Sequence, residues 1–110
     1  MMSTLPLDTF GNPVPALGYL DGGARTLVLT TTSNRITRPF SNTTDVISIF
    51  STVDCFIRLG SNTVTAANTD HFIPANMYQD IAISPTTKDR YIAGLRAGSL
   101  DGTLYISERE

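Results

Sequence analysis

The chain has 110 residues, 41% hydrophobic and 16% charged, with a net charge of −2 and a pI near 5.2. That length closes one modest core and not two. The acidic balance, with Lys88 as the only lysine and the seven arginines scattered, excludes the basic footprint of a direct nucleic-acid binder.

Residues 1–24 read as an extended arm. Pro6, Pro13 and Pro15, with Gly11, Gly18, Gly22 and Gly23, break any regular pattern. Leu5, Leu7, Phe10, Val14, Leu17, Tyr19 and Leu20 make the arm too apolar for a solvated tail, so it is expected to lie on its own domain or on a neighbouring copy. The segment has neither the basic start nor the long apolar stretch of an export signal, and no run approaches a membrane span. Synthesis in a cytoplasm and no membrane partner are therefore expected.

Residues 25–110 read as short strands separated by turn signals. Residues 26–32 are β-branched and apolar, Ser33-Asn34 is a turn, residues 35–39 form a short segment, and Ser41-Asn42 is another turn. Residues 45–50 (DVISIF) are apolar on both faces, as in a central strand. In residues 54–59 (DCFIRL), Cys55, Ile57 and Leu59 fall on one side and Phe56 and Arg58 on the other. Gly60-Ser61-Asn62 turns into a short segment around Val64, and residues 66–70 form a loop or a single turn. Phe72-Ile73 follows, and residues 77–83 place Met77, Ile81 and Ile83 on one face. The last twenty residues read as a hairpin, with Tyr91, Ala93, Leu95 and Ala97 on one side of its first strand, an Asp101-Gly102 turn, and Leu104 and Ile106 on one side of its second.

No twelve-residue stretch carries helical periodicity with caps. Some eight short strands predict an all-β fold: a small antiparallel β-sandwich, jelly-roll-like, with an extended N-terminal arm. The Cys, Trp, Cys pattern of an immunoglobulin domain is missing.

Chemistry has little to work with. His71 is the sole histidine and has no nucleophile or second base placed beside it, so it reads as a loop residue at a strand start. One histidine, with both glutamates at the chain's end, does not make a metal-binding cupin, and the aspartates are dispersed over separate turns. Cys55, on the inward parity of its strand, reads as a buried structural thiol. No catalytic residue, cofactor or metal is expected, and the chain is read as a non-enzyme. Phe56, Tyr78 and Tyr91 can share an outward face with Arg58, which would make a protein or sugar patch, but cover by the second sheet or by the arm is the favoured reading.

The residue runs 8–15 (DTFGNPVP), 54–60 (DCFIRLG) with Val64-Thr65-Ala66, 72–75 (FIPA) and 102–108 (GTLYISE), in this order, resemble small β-sandwich structural proteins of tailed bacteriophages and prophages. The resemblance spans nearly the whole chain but rests on order and spacing, with no single diagnostic motif. It implies a virion component made in the host bacterial cytoplasm, foremost a head decoration or cement protein. Its implied partners are the major capsid protein, other virion proteins and further copies of itself, with a trimer favoured. The alternative is a tail, neck or fibre-associated domain that binds a host glycan or receptor. The candidate partner-binding residues are, for the cement reading, Leu5, Leu7, Phe10, Val14, Leu17 and Tyr19 of the arm together with the sheet edges, and, for the glycan or receptor reading, the Phe56, Arg58, Tyr78 and Tyr91 face.

Overall fold

The computed structural model describes residues 18–109. They form eight strands: β1 (Tyr19–Leu29), β2 (Asn34–Arg35), β3 (Val46–Ser51), β4 (Cys55–Gly60), β5 (His71–Ile73), β6 (Tyr78–Ala82), β7 (Tyr91–Arg96) and β8 (Gly102–Arg109). These make two antiparallel four-stranded sheets, ordered β1-β8-β3-β6 and β2-β7-β4-β5, a small β-sandwich without helix among the described residues.

Alternation along each strand decides what the sandwich buries. Ile47 and Ile49 of β3, Leu104 and Ile106 of β8, and Leu27 and Leu29 of β1 point inward from the first sheet. Cys55 and Ile57 of β4, Ile73 of β5 and Ile92 of β7 meet them from the second, and Ile36 and Phe40 close one side. Each fully buried aliphatic side chain contributes about 1.5–3 kcal/mol. Gly94 on β7 is part of this fit: a Cβ there would lie 2.7 Å from Leu29 Cδ2 and 3.2 Å from Leu27 Cδ2. The missing side chain lets the sheets approach at that point.

β3 and β8 are the central strands of the first sheet, and β4 and β7 of the second. The expected central strand at residues 45–50 and the alternation of residues 54–59 are thus both present. The closing hairpin is not. β7 pairs with β4 and β2, whereas β8 inserts between β1 and β3 in the opposite sheet. Asp101 therefore ends a crossing loop and Gly102 opens β8, with the loop tied down where Arg96 Nη1 donates to Asp101 Oδ1 at 2.5 Å. Both strands have the alternation a hairpin needs, but each already has partners on both edges.

Two boundaries also move. The first strand begins at Tyr19, inside the stretch read as arm, because β1 absorbs the glycines in a bulge: Tyr19 faces Arg109 and Ala24 faces Ser107, with Gly22 at φ +74°. Met77 lies exposed just outside β6 and does not join Ile81 and Ile83 on the core side. Leu5, Leu7, Phe10, Val14 and Leu17 lie outside the described residues.

One end of the core is polar. The Glu108 carboxylate, 2% exposed, accepts from Ser41 N at 2.7 Å, Thr44 Oγ1 at 2.8 Å and Arg25 Nη2 at 2.6 Å. Arg25 also donates to the Arg38 carbonyl and places its guanidinium 5.1 Å from the Phe40 ring centroid. Burial pushes the Arg25 pKa down, and the adjacent Glu108 opposes that shift. The cluster ties β1, β8 and residues 38–44 together.

Candidate functional site

With the core filled, the outer faces of the two sheets carry most of the exposed aromatic surface among the described residues. On the second sheet, β4 register sets Phe56 opposite Leu95 and Phe72, Arg58 opposite Ala93, and Gly60 opposite Tyr91. Residues 61–70, which connect β4 to β5, fold over the middle of this face. Val64 and Ala66 seal Ala93 completely and pack against Tyr91 and Leu95. Arg35 Nη1 donates to the Val64 carbonyl at 2.9 Å and Ala66 N donates to Ser33 Oγ at 2.8 Å, which hold the loop down. What remains open is one end: Phe72, 52% exposed, in edge contact with half-buried Phe56 at a centroid separation of 5.8 Å, with exposed Arg58 beside them.

Phe56, Arg58 and Tyr91 thus share a face, as the sequence allows, but the loop half-buries Tyr91. Tyr78 does not join them. It lies on β6, paired with Phe50 in the other sheet. The sequence period assigns parity within one strand and says nothing about which sheet the strand enters.

The outer face of the first sheet is more open. Tyr19, Val28, Tyr78 and Tyr105 are each about half or more exposed, at 64%, 58%, 59% and 49%, and Phe50 packs on Tyr78 with centroids 6.0 Å apart. Pairing Phe50 with both Tyr78 and Tyr105, and Thr26 with Tyr105, places these rings on one side of β1, β8, β3 and β6. Arg109 organises the end of the face where β8 finishes. Its guanidinium carbon sits 4.1 Å from the Tyr19 ring centroid, Nη1 donates to Ser48 Oγ at 2.8 Å and lies 3.9 Å from Asp80 Oδ1, and Nε donates to the Gly18 carbonyl at 3.1 Å. A hydrogen bond with Tyr19, helped by some desolvation, raises the Tyr78 phenol pKa.

Comparison with protein-family models, with curated proteins and with solved structures gives no match to this chain. The site is therefore read from its own geometry. His71 is exposed on β5, and among the described residues no three His, Cys, Asp or Glu side chains gather as a metal site would require. Cys55 is fully buried and unpaired; burial pushes its thiol pKa up, away from the reactive thiolate. A shallow concavity of about 270 Å3 between residues 52–54, Ala75 and residues 98–100 has Asp54 as its one ionisable group, and that carboxylate already accepts from Ala75 N at 2.7 Å.

The sequence reading missed Val28, Phe50, Phe72 and Tyr105 as surface residues. A period-2 count would have put Tyr105 opposite Leu104 and Ile106, but not beside Tyr78. The pairing of β8 with β3, which joins residues far apart in sequence, creates that neighbourhood.

Proposed function

We propose that the chain is a structural adhesion protein of a virus particle, a capsid decoration (cement) protein of a tailed bacteriophage that binds and stabilises the major capsid protein lattice, and not an enzyme. The observation that carries this reading is that exposed aromatics occupy both outer faces of the sandwich. Tyr19, Tyr78 and Tyr105 lie on one, and Phe72, in contact with half-buried Phe56, on the other. A protein that reinforces a shell must hold a neighbour on more than one side, and aromatic side chains supply large contact area with little entropy loss. Repeated copies then strengthen a lattice through avidity even when each contact is weak. We read the strand order, with the chain changing sheet at every connection except β4 to β5, as a jelly roll, a winding that virion proteins use. The order of short motifs across the chain supports the same assignment.

The test uses particles of the phage or prophage whose genome carries this reading frame, prepared without the chain. Added purified protein should co-sediment with them and raise the temperature at which the capsid opens. Phe72→Ser should lower occupancy. A chain that attaches to no particle would sink the proposal.

A second reading has its own observation: the Phe56 and Phe72 ring pair beside exposed Arg58 is a small aromatic platform of the kind on which a sugar ring stacks. Under this reading Phe56→Ala and Phe72→Ala reduce adsorption of particles to host cells and leave capsid stability unchanged. The cement reading expects the reverse.

A further inference from the structure

The open face of the first sheet has a second feature, its position relative to where the arm begins. β1 starts at Tyr19, paired with Arg109 at the end where β8 finishes, and the Gly18 carbonyl is held there by Arg109 Nε at 3.1 Å. The chain before Gly18 therefore joins at one margin of the aromatic face. We propose that this face is the docking site for residues 5–17 of a second copy of the chain, so that copies link arm to face. The proposal rests on the reading of the face as adhesive and names what adheres to it.

Four observations argue for this occupant. The face is apolar where it is open, with Val28, Tyr78 and Tyr105 exposed, and its charges, Arg109 and Asp80, lie 3.9 Å apart. The arm offers matching chemistry: Leu5, Leu7, Phe10, Val14 and Leu17, with Asp8 as the one charged side chain in residues 1–17. Reach is sufficient. The thirteen residues 5–17 span up to about 43–47 Å when extended, while the eight residues of β8 cover only about 25 Å. Direction favours a neighbour over the arm's own domain. At the margin where β1 enters the sheet, the approach to the chain's own face is occupied by the Tyr19 ring, which lies over Arg109.

The experiment uses the full chain and light scattering after size-exclusion chromatography. Wild type should be oligomeric. An arm variant, Leu5→Ser with Leu7→Ser and Phe10→Ser, and a face variant, Tyr78→Ser with Tyr105→Ser, should each weaken association at least about tenfold and run as monomers. An equimolar mixture should recover a one-to-one heterodimer, since one partner keeps an intact arm and the other an intact face. Val28→Glu provides a second face variant should the tyrosine pair unfold the domain, as judged by circular dichroism. The proposal is overturned by variants that remain as oligomeric as wild type, by a mixture that does not complement, or by a monomeric wild type. A monomer in which the arm shields Tyr105 from nitration would assign the arm to its own face and overturn it equally. If copies link and complement but the chain never attaches to particles, the virion reading fails and this one stands.

Discussion

Glu108 gathers three polar partners at the buried end of the core. Its carboxylate is buried and satisfies a backbone amide, a hydroxyl and a guanidinium at once. Removing the charge by Glu108→Gln leaves Arg25 buried beside a neutral amide, and the expected loss is about 3–5 kcal/mol in urea unfolding. Replacing both Arg25 and Glu108 by apolar residues should not restore stability, because Ser41 N and Thr44 Oγ1 would lose their acceptor. Cys55 makes a different prediction. Fully buried and with its thiol pKa pushed up by burial, it should react with a disulfide reagent only as fast as the protein unfolds; a rate matching a free thiol in native buffer would contradict the packing. Tyr78 should deprotonate at higher pH than a free tyrosine, seen by ultraviolet titration, and Tyr19→Phe should bring it back down. The sign is set by the protonated form being favoured in the fold. The contribution is complete below the unfolded value of about 10 and disappears as pH rises through Tyr78's own higher pKa.

The strands themselves were largely legible. Alternation placed Cys55, Ile57, Phe56 and Arg58 on their observed sides, and the two-sided apolarity of residues 45–50 announced a strand with neighbours on both edges. Pairing was not legible. Nothing in YIAGLRAGSLDGTLYISE distinguishes a hairpin from two strands in opposite sheets, since both satisfy the same period. For the same reason Tyr78 could not be separated from Phe56, nor joined to Tyr19. Glu108 looked like part of a charged end, and its burial depends on residues 41–44 folding over β8, a contact without local signature. Gly94 carries the element-scale prediction. Gly94→Val forces a branched side chain against Leu27 and Leu29 and should cost about 1–3 kcal/mol, with the loss visible as a lower urea midpoint at unchanged slope.

For the molecule as a whole, the two outer faces have different fates. Residues 61–70 cover the middle of one and leave an aromatic corner, while the other keeps its tyrosines open across the sheet. If the arm of one copy takes the tyrosine face, the Phe56 and Phe72 corner remains for a different partner. Phe72→Ser should therefore reduce particle occupancy without changing the oligomer, and Tyr105→Ser with Tyr78→Ser should do the opposite in solution. A stability change of less than about 0.5 kcal/mol is expected for Phe72→Ser, since its ring is largely outside the core.

The place of β8 has a consequence for how the protein comes into being. It is the last of the eight described strands to be made, yet it fills the slot between β1 and β3, and its contacts include a pair 83 residues apart in sequence. Until Arg109 has been synthesised and has cleared the ribosome, the first sheet exists as two separated halves with raw edges turned toward each other. Maturation of the nascent chain thus depends on a late insertion, a step that is slow for such non-local pairing and open to competition from strands of neighbouring nascent chains.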